Sequence, residues 1–516
     1  MRFLVALRHA GYARYLQSTM RGLCERGHEV TVLVGIEAPA SKSHVGQLSR
    51  FGDELDELAR ELEGRLTIRP GAEPRGSRRR DLGGSLRGWL DCLRFLEPEF
   101  EDAPKLRARA LSQLPPTLRE PTETAAASPE FRRSLAAMIA ALEQSLPVPE
   151  AVRTVVEEER PDALVVCPLI ERRSPQATYL RAAHAIGIPG AVCVASWDNL
   201  TTSSLIHGEP DLVTVWNEAQ RKEATELHGI AAERVVATGA PLYDPWFEQR
   251  PSSSREEFCA RVGLPADRPF VLYVCSSGFI APDEAEWILR WIDIVRGSGI
   301  PELEELSVLI RPHPQHRLLD DSPAAAQLQE VPGVAIHPRE GALTLSGTEI
   351  AEYYDSIHHS AAVVGVNTSA MIETAIVGRG VHVLLTKRYR DTQEGVPHFA
   401  HLRSAGGGLI EVTRKQRQHV AGLARAVRGE DQSLVAERSR SFLEAFVCPQ
   451  GLAQAATPLL IDRLEQLAAS DRAPSERTPG PPYEQLQPLI ATLESVFRLT
   501  TDGTRGNAQA AASDEP

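Results

Sequence analysis

The chain has 516 residues, of which 42% are hydrophobic and 24% are charged. At about 150 residues per domain this length predicts two or three domains, and the ordinary composition excludes a disordered, collagen-like or coiled-coil protein. The 56 basic and 69 acidic residues give a net charge of −13, which argues against a broad face for nucleic acid, because phosphate neutralisation needs clustered positive charge.

The seven cysteines are scattered, with no close Cys-x-x-Cys pair and no nearby Cys/His spacing, so neither a disulfide framework nor a metal site is expected. The N-terminus reaches Arg8 after the short apolar run RFLVAL, which is too short for the core of a signal peptide. No other stretch approaches the ~18 apolar residues of a membrane span. We expect a cytoplasmic protein and leave open a peripheral contact with the inner face of the membrane.

The first 35 residues predict a strand, a loop, a helix over 16–26 and a second strand, HEVTVLVG. Apolar strands joined by a crossover helix are typical of a parallel sheet covered by helices on both faces. Between 40 and 150 this alternation stops, and helix-like stretches near 47–63, 85–96 and 130–145 predict a helical insertion. From 150 onwards the alternation of strands and helices returns.

A second series of strands and helices begins with PFVLYVCSSGF at 269–279 and continues to VHVLLT. We therefore predict an α/β protein with two doubly wound domains, residues 1–250 and 251–430, facing each other across a cleft. Residues 431–470 are expected to form closing helices. Residues 471–516 are expected to form a largely flexible tail with one helical piece at 483–499.

Two features of the insertion each allow two interpretations. The arginine-rich tract from Arg65 to Arg80 fits a solvated loop or a contact with an anionic acceptor or lipid head group. The amphipathic stretch SLRGWLDCLRFL at 85–96 fits a helix packed in a core or one that lies on a membrane.

The segment VVGVNTSAMIETAIVGRGVHVLL at 363–385 is the most informative. Its strand leads to a turn in which Asn367, Thr368 and Ser369 open a helix that carries Glu373. Exposed amides at a helix N-terminus, with two hydroxyls beside them, can hold a diphosphate, and Glu373 can accept hydrogen bonds from a ribose diol. The alternative is a helix cap formed by Thr368 or Ser369, with Glu373 as a solvated acid.

Two further strand ends carry residues suited to phosphate chemistry. In RPHP at 311–314 the prolines keep Arg311 and His313 extended, and an imidazole there can stabilise or protonate a leaving phosphate. Gly278 in SSGF lets the backbone approach a phosphate closely. The sequence contains no GxGxxG, GxxxxGK[ST] or DxD motif, which argues against NAD or FAD, a P-loop, and a sugar nucleotide clamped by Mg²⁺.

Other polar residues follow strands of the first domain. A general base, which takes up a proton during a reaction, can be His9, Glu171 or Asp198, and the sequence does not distinguish among them. Trp197 offers a platform for a sugar or packs in the core, and Asp198 acts as a base or caps the next helix. Gly11, Arg14 and Asn199 lie beside them in the same loops. In the second domain the polar stretch 386–408, with Glu394 and His398, predicts a flap, a ligand loop or a plain surface loop.

These motifs resemble those of the GT-B superfamily of glycosyltransferases, which also contains UDP-GlcNAc 2-epimerases and CDP-glycerol glycerophosphotransferases. GYARYLQSTMRGLCERGHEVTVL is similar to the opening of that superfamily, and NTSAMIETAIVGRGV is similar to its donor-site pattern. RPHP followed by a Ser/Thr turn resembles bacterial sialyltransferases and CDP-glycerol glycerophosphotransferases. The resemblance covers roughly residues 1–37 and 160–430, and it implies two Rossmann-like domains.

The resemblance also implies a function, which is metal-independent transfer without a cofactor in bacterial polysaccharide biosynthesis. A glycosyl or similar phosphate-linked group would pass from a nucleotide-sugar or CDP-linked donor to a cell-surface glycan or lipid-linked acceptor. The donor contacts that it implies are Gly278, Arg311, His313, Asn367, Thr368, Ser369 and Glu373. On the acceptor side it implies Gly11, Arg14, Trp197 and Asn199, with the base left open among His9, Glu171 and Asp198. The alternatives on this fold are an epimerase acting on UDP-GlcNAc, a CDP-glycerol-type glycerophosphotransferase and a binding protein without catalysis.

Overall fold

The computed structural model describes residues 1–35, 42–72, 78–171, 173–314, 322–339, 347–470 and 482–511. Part of the arginine-rich tract, 73–77, therefore lies outside the described residues, as do 471–481 and 512–516 of the expected tail. None of the described helices is both long and apolar enough to span a bilayer.

The described strands form two parallel sheets of seven and six strands. The first sheet contains β1 (Arg2–Leu7), β2 (Glu29–Val34), β3 (Leu66–Pro70), β4 (Ala163–Cys167), β5 (Gly190–Cys193), β6 (Leu212–Val215) and β7 (Val235–Ala237). The second contains β8 (Phe270–Val274), β9 (Ser307–Arg311), β10 (Val334–Ile336), β11 (Ala362–Gly365), β12 (Val381–Leu384) and β13 (Glu411–Thr413).

Helices connect the strands and cover the sheets. Up to β8 they are α1 (Ala13–Glu25), α2 (Lys42–Glu61), α3 (Arg78–Arg94), α4 (Pro104–Ser112), α5 (Pro116–Ala126), α6 (Pro129–Ser145), α7 (Glu150–Glu159), α8 (Gln176–Ala185), α9 (Asn199–Thr202), α10 (Glu218–Glu226), α11 (Asp244–Glu248) and α12 (Arg255–Val262). After β8 they are α13 (Glu284–Arg296), α14 (Pro301–Glu304), α15 (Pro323–Glu330), α16 (Gly347–His358), α17 (Ala370–Val377), α18 (Phe399–Ser404), α19 (Gln416–Arg428), α20 (Gln432–Phe446), α21 (Ala456–Ala468) and α22 (Tyr483–Ala511).

The first sheet has the strand order β3-β2-β1-β4-β5-β6-β7. Along β1, Phe3 and Val5 pack into the core on one face, whereas Leu4 and Ala6 pack into the core on the other. A strand that is buried on both faces needs a continuous apolar run, which is why RFLVAL shows no alternation. The second sheet has the order β10-β9-β8-β11-β12-β13, and its central strand β8 is likewise buried along its whole length.

The insertion differs in one respect from the expected helical stretch. It contains β3, which pairs in parallel with β2 and extends the first sheet at its edge. The segment 85–96 lies largely in α3, where Trp89 is buried and its indole N–H donates to the Thr122 hydroxyl at 2.9 Å. This burial agrees with the interpretation in which the amphipathic stretch packs in a core.

Contacts between residues group the chain into two units. The first comprises 1–38, 55–237 and 458–516, and the second comprises 39–54 and 238–457. Helix α21, expected among the closing helices, packs Leu460, Ile461 and Leu464 into the core of the first sheet. All seven cysteines are buried and free.

Candidate functional site

The candidate site lies in the second unit, at the carboxyl ends of its strands. From β8 the chain moves outward to β9 and β10 on one side, and from β11 it moves outward to β12 and β13 on the other. The neighbouring strands β8 and β11 are therefore the point at which the winding reverses. Open α/β sheets bind ligands in the crevice that opens beside such a pair, because the loops after the two strands lead away from each other.

The turn after β11 presents backbone donors at this crevice. Thr368 Oγ1 accepts a long hydrogen bond, 3.4 Å, from the amide of Ala370, and Ser369, at the N-cap of α17, makes no side-chain cap bond. No acceptor among the described residues pairs with the amides of Thr368 and Ser369. A weak cap and two available donors thus coexist at the positive end of the α17 dipole, where an anion is stabilised.

Asn367 fixes the position of this turn. Its backbone amide donates to Ser276 Oγ at 3.3 Å in the loop after β8, and its side-chain Nδ2 donates to the Thr392 carbonyl at 2.8 Å. Nδ2 also lies 3.1 Å from His398 Nε2, and Gln393 Nε2 donates to the Val366 carbonyl at 3.3 Å. The stretch 386–408 is therefore packed against the turn through buried polar groups, and it supports the turn.

Glu394 of the same stretch has a different environment from His398. It is held by Arg414 at 2.8 Å and lies 3.5 Å from Arg403. The hydrogen bond from Arg414 is the main cause of a lowered pKa of the Glu394 carboxyl. Glu394 is thus an ion-paired carboxylate.

Arg311, the last residue of β9, brings a buried positive charge to the same edge of the sheet. Its side chain is 7% exposed, and the guanidinium lies 3.9 Å from the centre of the Tyr353 ring. Burial lowers the pKa of Arg311, against opposing interactions with Tyr353 and with acids that include Glu373. Within the described part of the chain no carboxylate lies in salt-bridge distance of Arg311, and Nη1 has no hydrogen-bond partner. A bound anion would offset the free-energy cost of holding the charged Arg311 guanidinium away from water.

The remaining predicted donor residues lie at the same edge. His313 is half-buried, two residues after β9, and Glu373 is half-buried in the first turn of α17. Gly278 lies in the loop after β8. Helix α17 ends at Gly378, whose φ of +80° is the left-handed cap that favours glycine.

Sequence reasoning missed Glu284, the first residue of α13. This buried carboxyl accepts the Ser276 amide at 2.7 Å and the Tyr273 hydroxyl at 3.3 Å. Burial raises the pKa of Glu284 to about 8, so the carboxyl is largely protonated at neutral pH. Glu284 thereby orients Ser276, whose hydroxyl oxygen accepts the hydrogen bond from the Asn367 amide. An acid in the first turn of a helix is ordinarily exposed, so nothing in the sequence pattern indicated this role.

In the first unit, the loops after β1 and β4 meet at the corresponding reversal of strand order. Arg8 pairs with Glu171 across it, at 2.8 Å between Nη1 and Oε2. His9 Nδ1 accepts the Gly11 amide at 3.1 Å, which in the neutral ring assigns the proton to Nε2. The outer nitrogen of His9 is then a donor. Arg14 stacks on the Tyr15 ring at 4.6 Å.

The loop after β5 holds the other residues that were expected on the acceptor side. Trp197 is 4% exposed, in agreement with the packing interpretation of that side chain. Asp198 is half-buried and accepts the Ser196 hydroxyl at 2.7 Å, while Asn199 Oδ1 accepts the Ser196 amide at 2.9 Å. Asp198 occupies the N-cap of α9 without a side-chain bond to its amides.

No protein-family profile and no curated protein matches the sequence significantly. Among solved structures, a putative UDP-N-acetylglucosamine 2-epimerase from Listeria monocytogenes superposes with a TM-score of 0.50 at 10% identity, over 92% of this chain and 98% of that one. UDP-GlcNAc 2-epimerase from Neisseria meningitidis gives 0.49 at 11%, over 90% and 100%. A glycosyltransferase from Rickettsia africae gives 0.48 at 8%, over 91% and 99%. The first of these similarities and the two parallel sheets confirm the predicted fold: the chain has the two Rossmann-like domains of the GT-B type.

Proposed function

We propose that the chain is a metal-independent GT-B transferase, which moves a glycosyl or similar phosphate-linked group from a nucleotide-activated donor to a glycan or lipid-linked acceptor. The observation that carries the proposal is the turn at 366–369. Two amides that have no acceptor among the described residues start α17 there, beside the loop after β8, and buried polar contacts hold them in place. Such a preorganised anion site suits the diphosphate of a donor.

The charges around the turn support this assignment. Arg311 supplies a desolvated cation for the phosphate oxygens, and Glu373 supplies a carboxylate for the ribose diol. Departure of the sugar leaves an additional negative charge on the diphosphate. Amides, guanidinium and a protonated His313 would stabilise that charge as it develops, which lowers the barrier without a metal.

We propose that Asp198 is the general base, which takes the proton that the acceptor hydroxyl loses. The geometry of the three candidate bases supports this choice. His9 presents a protonated nitrogen, and proton uptake by Glu171 would break its ion pair with Arg8. Asp198 is half-buried and is held by hydroxyl groups, so it can accept a proton without the loss of an ion pair.

Nucleotide binding tests the donor site. UDP, GDP, CDP, CMP and dTDP are compared by thermal shift and calorimetry, and we expect at least one diphosphate to stabilise the protein. Arg311→Gln should weaken that nucleotide at least tenfold, because the desolvated cation is lost. Arg268→Gln is the matched control, since Arg268 is an exposed arginine paired with Glu305 in the same unit. If no nucleotide binds, the non-catalytic alternative replaces the proposal.

His313→Ala tests the chemical step. We expect turnover to fall about 100-fold with nucleotide affinity changed less than about threefold, since the charge develops only in the transition state. Unchanged turnover would remove His313 from the mechanism. Conversion of UDP-GlcNAc to an epimer without any acceptor would instead establish the epimerase alternative.

A further inference from the structure

Three side chains that take no part in the donor site come together elsewhere in the second unit. His382 of β12 and Glu411 of β13 are register partners in adjacent strands, so their side chains lie on the same face of the sheet. Asp431 directly precedes α20. Single ligand atoms of the three residues all lie within 4.8 Å of one another, and His382 Nδ1 is 3.8 Å from Glu411 Oε1.

This cluster lies at the opposite edge of the sheet from the candidate donor site. His382 and Glu411 stand near the amino ends of their strands, whereas the turn at 366–369 follows the carboxyl end of β11. The three residues line one small pocket, which Gly380, Arg438 and Ser439 help to enclose. The pocket is therefore separate from the proposed nucleotide site.

The state of His382 is the second, independent observation. The side chain is 2% exposed, and in the described structure neither ring nitrogen has a hydrogen-bond partner. Buried polar groups are nearly always satisfied, because each unsatisfied group costs about 1–3 kcal/mol. A neighbouring buried histidine is satisfied at one ring nitrogen, since His419 Nε2 accepts the Trp291 indole N–H at 2.9 Å, and in the described structure its Nδ1 alone lacks a partner. His382 instead lines a pocket that also contains two carboxylates.

We propose that His382, Glu411 and Asp431 bind one divalent transition-metal ion of the zinc class. Zinc takes histidine nitrogen and carboxylate oxygen at about 2.0–2.2 Å, so two of its ligands lie at most ~4.4 Å apart. The 3.8 Å separation between His382 Nδ1 and Glu411 Oε1 fits that limit. The other ligand atoms lie within 4.8 Å, and rotation of the half-buried Asp431 and Glu411 side chains would bring them within the limit as well. The imidazole favours this class over Mg²⁺ and Ca²⁺, which prefer oxygen ligands alone.

Neighbouring groups set the expected strength and role of the site. Arg425 donates to Glu411 Oε1 at 3.0 Å, which orients the carboxylate but adds a positive charge, so we expect weaker binding than in a zinc finger. Three protein ligands leave one position for water. The ion would join β12, β13 and the start of α20, and so stabilise this edge of the second unit. No cysteine takes part, which is why a search for cysteine spacing did not indicate the site.

The test uses the full-length, untagged chain after removal of metal with a chelator. Zn²⁺ alone is added and binding is measured by equilibrium dialysis and by thermal shift, with Co²⁺ absorption as a probe of the ligands. We expect one equivalent to bind and to raise the melting temperature. Asp431→Asn and His382→Gln should each weaken binding at least tenfold, whereas Asp267→Asn, which changes an exposed aspartate of the same unit, should bind as the wild type does.

Absence of zinc binding by the folded wild-type chain would overturn the proposal. Equal binding by Asp431→Asn and the wild type would overturn it as well. Should His382→Gln fail to fold, Asp431→Asn decides alone, because Asp431 is half-buried and makes no side-chain cap bond to α20.

Discussion

Asn367 shows how a single residue determines the shape of the candidate site. Its backbone amide reaches Ser276, and its side-chain amide reaches Thr392 and His398. These partners come from two segments distant in sequence, while the local cap of α17 is weak. The conformation of the 366–369 turn therefore depends on tertiary contacts, and the amides of Thr368 and Ser369 stay available because no local side chain consumes them.

Glu284 makes stability depend on pH. Its folded-state pKa of about 8 exceeds its ordinary value of 4.5, so the native state holds a proton that the unfolded chain releases. The stabilisation is complete below pH 4.5 and is lost as pH rises through about 8. We expect Glu284→Gln to remove this contribution, which has a slope of at most about 1.4 kcal/mol per pH unit.

The slope can be measured by urea unfolding at several pH values within that window. Glu286→Gln is the control, because Glu286 is an exposed acid of the same helix, paired with Arg388 at 2.7 Å, and should leave the slope unchanged. Identical pH profiles for the wild type and Glu284→Gln would show that the carboxyl is ionised in the folded protein at neutral pH.

At the scale of elements, the sequence predicts strands and helix boundaries correctly wherever the local residue pattern agrees with the burial in the structure. Continuous apolar runs such as RFLVAL predicted strands buried on both faces, and β1 is such a strand. The turn at 367–369 predicted where α17 begins. These features depend on backbone chemistry within a few residues, so one sequence suffices to find them.

Other elements depend on contacts that no local pattern contains. The edge strand β3 is short, and only its pairing with β2 makes it a strand. The stretch 386–408 has the polarity of a loop, yet Gln393 and His398 are buried because they bond the turn after β11. The sequence predicted closing helices at 431–470, but it did not indicate which core α21 would enter.

Helix α21 is expected to contribute strongly to the stability of the first unit. Leu464 is 0% exposed in the core of the first sheet, and truncation leaves a cavity there. We expect Leu464→Ala to lower the free energy of unfolding by about 2–5 kcal/mol in urea denaturation. Leu489→Ala in α22, where the side chain is 41% exposed, should change it by less than about 0.5 kcal/mol. Equal effects would mean that α21 does not pack as described.

Across the whole molecule, the same reversal of strand order occurs in both sheets, but the charges beside it differ between the two units. In the first unit, Arg8 and Glu171 neutralise each other across the reversal of strand order. In the second unit the corresponding loops are joined through the Asn367 amide and Ser276, and Arg311 stays without an acidic partner in the described residues. An anionic ligand should therefore choose the second unit.

Hydrogen–deuterium exchange of the full chain tests this choice. A saturating nucleoside diphosphate at ~100 times its dissociation constant stabilises the bound state by about 2.7 kcal/mol, which slows amide exchange where the ligand binds. We expect the strongest protection at 275–283 and 366–369, with a smaller effect at the supporting stretch 386–398, and weaker protection at all of these segments in Arg311→Gln at the same nucleotide concentration. Protection concentrated at 8–12 and 168–175 would place the nucleotide in the first unit instead, and the roles proposed for the two units would have to be exchanged.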